Sequence, residues 1–198
     1  MKATKKVTYQ VEDFETTFEP IEDSITIEKT KEGYTMKYLV RDDIPLSPRE
    51  WDNLGTMVCF HRRYDLGDKH DYTVEDIKEL VKREDIISLP LYLYDHSGIS
   101  MRTYPHGHHV AWDCGQVGYI FVTKERIKKE YGKVTKKTIE KAIEVLKGEV
   151  ENYDQYIQGD VYCCVVETYD KEKNHLDYDV VGGYYGVDYA LQALKEEY

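Results

Sequence analysis

Three of the chain's seven histidines crowd into Tyr104-Pro105-His106-Gly107-His108-His109, and Asp113 and Cys114 follow close behind. Zinc or nickel takes imidazole and thiolate donors at about 2.0–2.3 Å, which makes His106, His108 and His109 the candidate metal ligands. Their spacing permits a metal site without specifying one, and a polar turn between strands accounts for the same residues, so no cofactor is expected. A thiol nucleophile needs an imidazole base and an oriented acid, which Cys59 or Cys114 with His96 or His109 could supply. The surroundings of Trp112-Asp113-Cys114-Gly115 are not those of a papain-like cysteine, and the chain has neither Gly-x-Ser-x-Gly nor His-Glu-x-x-His. His96, Asp113 and Cys114 are what remains as catalytic candidates, and binding rather than catalysis is the expectation. Gly182-Gly183-Tyr184-Tyr185-Gly186 lacks the features of a P-loop and of a dinucleotide-binding turn. The competing expectation is an enzyme or small-ligand module whose pocket gathers Asp95, His96, Trp112, Asp113 and Gln116, because polar groups beside Trp and Gly at strand ends resemble site material.

Charge points elsewhere. Thirty-eight acidic against 27 basic residues give −11, a balance that repels phosphate backbones and disfavours direct nucleic-acid binding. Glu12, Asp13, Glu15, Glu19, Glu22 and Asp23 lie together with no Lys or Arg between them. They form either a face on which a basic protein docks or a solvated arm that serves solubility. Several of the 19 tyrosines stand beside acids, as in Tyr153-Asp154 and Tyr169-Asp170. Tyr supplies contact area at modest entropy cost, so Tyr153, Asp154, Trp112 and Gln116 join the arm's acids as candidate binding residues. Tyr that merely packs strands is the competing account.

The elements that must position these residues follow from pattern. Residues 1–23 form an acidic arm in which Phe14, Phe18 and Ile21 are spaced to dock onto a body, and 24–198 is expected to be one α+β domain. Ile25 and Ile27, then Tyr34, Met36, Tyr38 and Val40, alternate around Lys31-Glu32-Gly33 as a hairpin. Pro45 to Asp71 is a long loop with one apolar piece at 56–60. Thr73 and Asp76 make a capping box for a helix over 74–83. Strands at 89–94 and 99–104 flank the turn Asp95-His96-Ser97-Gly98, a third strand covers 117–123, and a short helix covers 124–131. Thr135 caps a longer helix, and Ile139, Ala142, Ile143, Leu146, Val150, Tyr153 and Ile157 make one apolar stripe, so a long amphipathic helix runs over about 135–157. Gly159 ends it, strands at 161–169 and 176–185 follow, and a helix at 188–197 comes last. The sheet is expected to be mostly antiparallel with helices on one face. Four cysteines without Cys-x-x-Cys spacing, no apolar run near the roughly 20 residues that span a bilayer, and a polar N-terminus point to a reduced, cytoplasmic setting with no membrane contact.

Three stretches carry a resemblance. They are Pro48-Arg49-Glu50-Trp51-Asp52-Asn53-Leu54-Gly55-Thr56-Met57 with Tyr64-Asp65-Leu66-Gly67-Asp68; Tyr94-Asp95-His96-Ser97-Gly98-Ile99 with Trp112-Asp113-Cys114-Gly115-Gln116-Val117-Gly118-Tyr119; and Gly148-Glu149-Val150-Glu151-Asn152-Tyr153-Asp154-Gln155-Tyr156 with Gly159-Asp160-Val161-Tyr162. Together they resemble an uncharacterised family of bacteriophage and mobile-element proteins with no assigned activity. In that family Ser more often stands where Cys114 does and the 106–109 stretch is replaced, which weighs against thiol and metal chemistry. The resemblance implies an accessory protein in a bacterial host cell. Joined to the charge, it implies an inhibitor of a nucleic-acid-directed defence, of the anti-CRISPR or anti-restriction kind. Its partner would be a basic host protein, with carboxylates standing in for phosphates as in DNA mimicry.

Overall fold

The computed structural model describes residues 11–105 and 114–198. The chain is α+β, as expected, and its strands form two four-stranded antiparallel sheets. Contacts divide it into two compact units, one made of residues 1–45 and 159–198, the other of 46–158. The division reflects pairings between segments far apart in sequence, which local periodicity does not encode.

The first unit holds β1 (Thr26–Lys29), β2 (Tyr34–Arg41), β7 (Val161–Tyr169) and β8 (His175–Tyr185) in the order β1-β2-β7-β8. β2 lies antiparallel to β7, with Tyr38 opposite Val165 and Leu39 opposite Cys164. Because side chains alternate across a strand, these two pairs fall on opposite faces. Leu39, Tyr162, Cys164 and Tyr184 pack under Ala190, Ala193 and Leu194 of α4 (Val187–Glu196). Tyr34, Met36, Tyr38, Val165 and Tyr169 line the other face, and Phe14 of the N-terminal arm closes over them.

The second unit holds β3 (Thr56–Cys59), β4 (Ile86–Asp95), β5 (Ile99–Arg102) and β6 (Cys114–Thr123) in the order β3-β6-β4-β5. β3 approaches β6 so closely that any Cβ at Gly118 would overlap the Val58 carbonyl oxygen, which is why glycine stands there. The long helix α3 (Lys136–Ile157) buries Ala142, Leu146, Val150 and Tyr153 against Met57, Leu91, Leu93, Met101 and Ile120. The same cluster takes in Ile127 of α2 (Lys124–Tyr131). On the opposite face Ile77 of the short α1 (Val74–Leu80) packs with Val58, Ile86 and Phe121, so helices lie on both faces of this sheet. The caps are those read from sequence: the Thr73 hydroxyl accepts from the Asp76 amide, and the Thr135 hydroxyl accepts from the Thr138 amide. Gly159 adopts φ 68°, the left-handed turn that stops α3. Among the described residues no helix is long and apolar enough to cross a membrane.

Candidate functional site

The described part of the arm, residues 11–24, lies in the first unit, with a 3-10 turn at Val11–Asp13 and another at Glu22–Ser24. Phe14 meets Tyr34 and Tyr169 edge to face, with ring centroids 5.4 and 4.9 Å apart, and Phe18 meets Tyr178 at 5.7 Å. Ile21 donates its amide to the Leu39 carbonyl at 2.9 Å. The Ser24 hydroxyl accepts from the Leu39 amide at 2.8 Å, so the end of the arm continues the edge of β2 where β1 stops. With the apolar residues turned inward, Glu12, Asp13, Glu15, Glu19, Glu22 and Asp23 are all exposed. One of the six, Asp13, is engaged by Lys173 at 2.6 Å.

Beneath the arm lies a residue that the sequence analysis did not single out. Glu167 has no exposed surface. Its carboxylate accepts from the Thr17 amide at 2.8 Å and from the Tyr169 hydroxyl at 2.5 Å, and His175 Nε2 stands 3.6 Å away. Burial alone would raise this carboxyl, but the bonds from Thr17 and Tyr169 outweigh it and hold the group below the ordinary carboxylate range. Tyr169 also donates to the Glu15 carbonyl at 3.1 Å. The arm is thus fastened by charge-assisted hydrogen bonds at its middle and by aromatic contacts on either side. A signal was present in the sequence: Glu167 shares a strand face with Val165 and Tyr169, where an unpaired carboxylate would be costly.

In the second unit the sequence-predicted residues separate. Tyr153 is core: it is 3% exposed, its hydroxyl accepts from the Gly67 amide at 2.8 Å, and burial pushes its phenol up to about 12. Its place on the apolar stripe of α3 outweighs its acidic neighbour. Asp154 accepts from the Met101 amide at 2.7 Å and lies 3.4 Å from the Ser100 hydroxyl, tying α3 to β5, and burial raises its carboxyl. Asp95, at the end of β4, is ion-paired with Arg63 and lies 3.7 Å from His61 Nε2. His61 in turn stacks on Tyr64 at 5.1 Å. His96 sits in the following turn, its amide bonded to the Gly98 carbonyl and its ring tilted toward Tyr94. Gln116 is exposed and lines a groove of about 300 Å³ with Phe60, Val74 and Tyr119. Cys114 opens β6 opposite Tyr94. The remaining candidates, His106, His108, His109, Trp112 and Asp113, lie outside the described residues. Among the described residues no group of three or more His, Cys, Asp or Glu side chains could hold a metal ion. Burial pushes the Cys59 thiol up to about 12 and the Cys163 and Cys164 thiols up to about 11, the direction opposite to nucleophilic activation.

Two of the three stretches behind the resemblance, 48–68 and 148–156, meet in one network. Arg49, with 5% of its side chain exposed, grips Asp68 through Nε and Nη2, both at 2.8 Å, and donates Nη1 to Glu149 at 2.9 Å and Nη2 to the Gly55 carbonyl at 2.7 Å. Glu149 also accepts from the Leu54 amide at 2.7 Å, and Asp68 from the Met57 amide at 2.7 Å. Burial would lower the Arg49 guanidinium, and the two carboxylates more than reverse this. These residues brace the 47–68 loop against α3 and leave no reactive group free.

Charge is divided unevenly between the units. Residues 1–45 and 159–198 hold 19 acidic and 10 basic residues, a formal −9, whereas 46–158 holds 19 acidic and 17 basic, a formal −2. The docked arm, with its six exposed carboxylates, belongs to the strongly acidic unit. No family model, curated protein or solved structure matches the chain.

Proposed function

We propose that this chain is a protein-binding inhibitor that engages a basic, nucleic-acid-handling host protein through the acidic first unit, its carboxylates standing in for phosphates. The observation that carries the proposal is the arm: Phe14 and Phe18 hold it on the sheet while Glu12, Glu15, Glu19, Glu22 and Asp23 face solvent. Carboxylates fixed in place lose little conformational entropy when a cationic groove closes on them, and their summed field speeds encounter. A defence component of a bacterial host is the partner that fits the resemblance. A catalytic pocket has less support, because Asp95 is neutralised by Arg63 and Gln116 lines a groove of its own.

The test immobilises the chain and passes over it the nucleic-acid-binding proteins of a bacterial lysate at about 50 mM salt. A basic protein should be retained, released by salt and displaced by duplex DNA. A Glu12→Gln, Glu15→Gln, Glu19→Gln variant, altered only at exposed positions, should retain about tenfold less. Retention that DNA does not displace, or that the variant leaves unchanged, would end the proposal.

A further inference from the structure

The second unit's near neutrality conceals a local excess of cations. Residues 124–147 hold nine basic and four acidic residues. This stretch is α2 and the first half of α3, joined by the four residues 132–135. The two helices pack as one piece: Ile127 shares a core cluster with Ala142 and Leu146, and Lys141 Nζ stands 4.8 Å from the centre of the Tyr131 ring. Lys128, Lys129, Lys133 and Lys137 are exposed and make no ion pair among the described residues. The partners that do exist are weak or spent elsewhere, with Lys136 and Glu140 3.9 Å apart in full solvent and Arg126 turned to Asp52. Lys136 and Lys137 also occupy the first turn of α3, which has no acid, so they run against the helix macrodipole. Lys128 and Lys129 suit the last turn of α2, but helix stability gives no reason for the cations of the 133–137 stretch that adjoin them.

We propose that the α2–α3 helical hairpin is a contact surface for the phosphate backbone of nucleic acid, read without regard to sequence. The stretch contains no Asn, Gln or Ser with which to read base edges, and its one Arg is engaged by Asp52. What it offers is mobile lysine point charges, the chemistry of phosphate contact. A membrane surface fits less well, since Val134 is the one large apolar residue the stretch exposes and its one aromatic, Tyr131, is half-buried under Lys141. The overall charge of −11 is no bar. Fields of exposed charges fade over about 8 Å at physiological ionic strength, so a local surplus of cations acts largely for itself. The inference does not rest on the proposed inhibitor function, because its test contains no protein partner.

The full chain is titrated into a fluorescein-labelled duplex DNA of about 20 base pairs at several salt concentrations. Four phosphate contacts predict a log–log salt slope between about −3 and −4, which is roughly a 100-fold loss of affinity from 50 to 200 mM. Lys128→Gln, Lys129→Gln, Lys133→Gln and Lys137→Gln together should flatten that slope and weaken binding at least about tenfold, with the circular dichroism spectrum unchanged. The control pair Lys69→Gln and Lys78→Gln, exposed on the same unit, should bind as the parent does. Absence of binding at about 50 mM salt, a slope the four-lysine variant leaves intact, or a low-salt signal that sedimentation traces to self-association would each overturn the proposal.

Discussion

Glu167 stays ionised inside the first unit because hydrogen bonds from the arm and from Tyr169 replace its hydration. Its folded value lies below the ordinary 4.5. A depressed carboxyl contributes stability that is complete above that ordinary value and is lost as the pH falls through the folded one. Glu167→Gln should therefore cost about 1–3 kcal/mol at pH 7 and show a shallower decline below pH 4.5 than the parent, measured by urea denaturation across pH. Equal pH dependence in both proteins would refute the assignment. Arg49 poses the converse case, a buried cation between two acids. Arg49→Met strands Asp68 and Glu149, and the expected loss is about 3–5 kcal/mol in chemical denaturation. Arg49→Lys should recover only part of it, since an ammonium cannot grip Asp68 through two nitrogens at once.

Elements carry the next level of expectation. The arm is a strap in which Phe14 is the most buried anchor: Phe14→Ala removes that ring's two edge-to-face contacts and about 3 kcal/mol. Hydrogen exchange should report this as lost protection at the Thr17 amide, while Val165 in the centre of the sheet stays protected. A Thr17 amide as slow as in the parent would show that Glu167 alone suffices. Most of these elements were legible in the sequence. Thr73 and Thr135 announced their helices through short-range capping, the α3 stripe gave its buried face, and the Asp95-His96-Ser97-Gly98 turn gave the β4–β5 hairpin. What escaped was non-local. The pairing of β2 with β7 joins segments more than a hundred residues apart, and no local period announces it. Arg49 lies in a stretch rich in Pro and Gly that looked like plain loop, and its burial depends on Glu149 arriving from a helix. Tyr153 belonged to the apolar stripe and also stood next to Asp154, and the stripe decided its place.

Across the whole molecule, charge and connectivity both follow the division into units. Self-repulsion within a formal −9 should make the first unit respond to ionic strength more than the second. Raising salt from about 20 to 300 mM should slow amide exchange at Val165 and leave Ile120 nearly unchanged. A uniform response would argue against charge segregation as a determinant of stability. The order of strands has a further effect during synthesis. The β1–β2 hairpin emerges first, yet its β7 neighbour is translated only after all of residues 46–158. At ribosomal speeds of about 5–20 residues per second, Tyr34, Met36, Tyr38 and Leu39 wait roughly ten to thirty seconds for the remainder of the chain. Nascent protein in that interval presents an unsealed, aromatic-rich ribbon, the stage at which a chaperone would have most to protect.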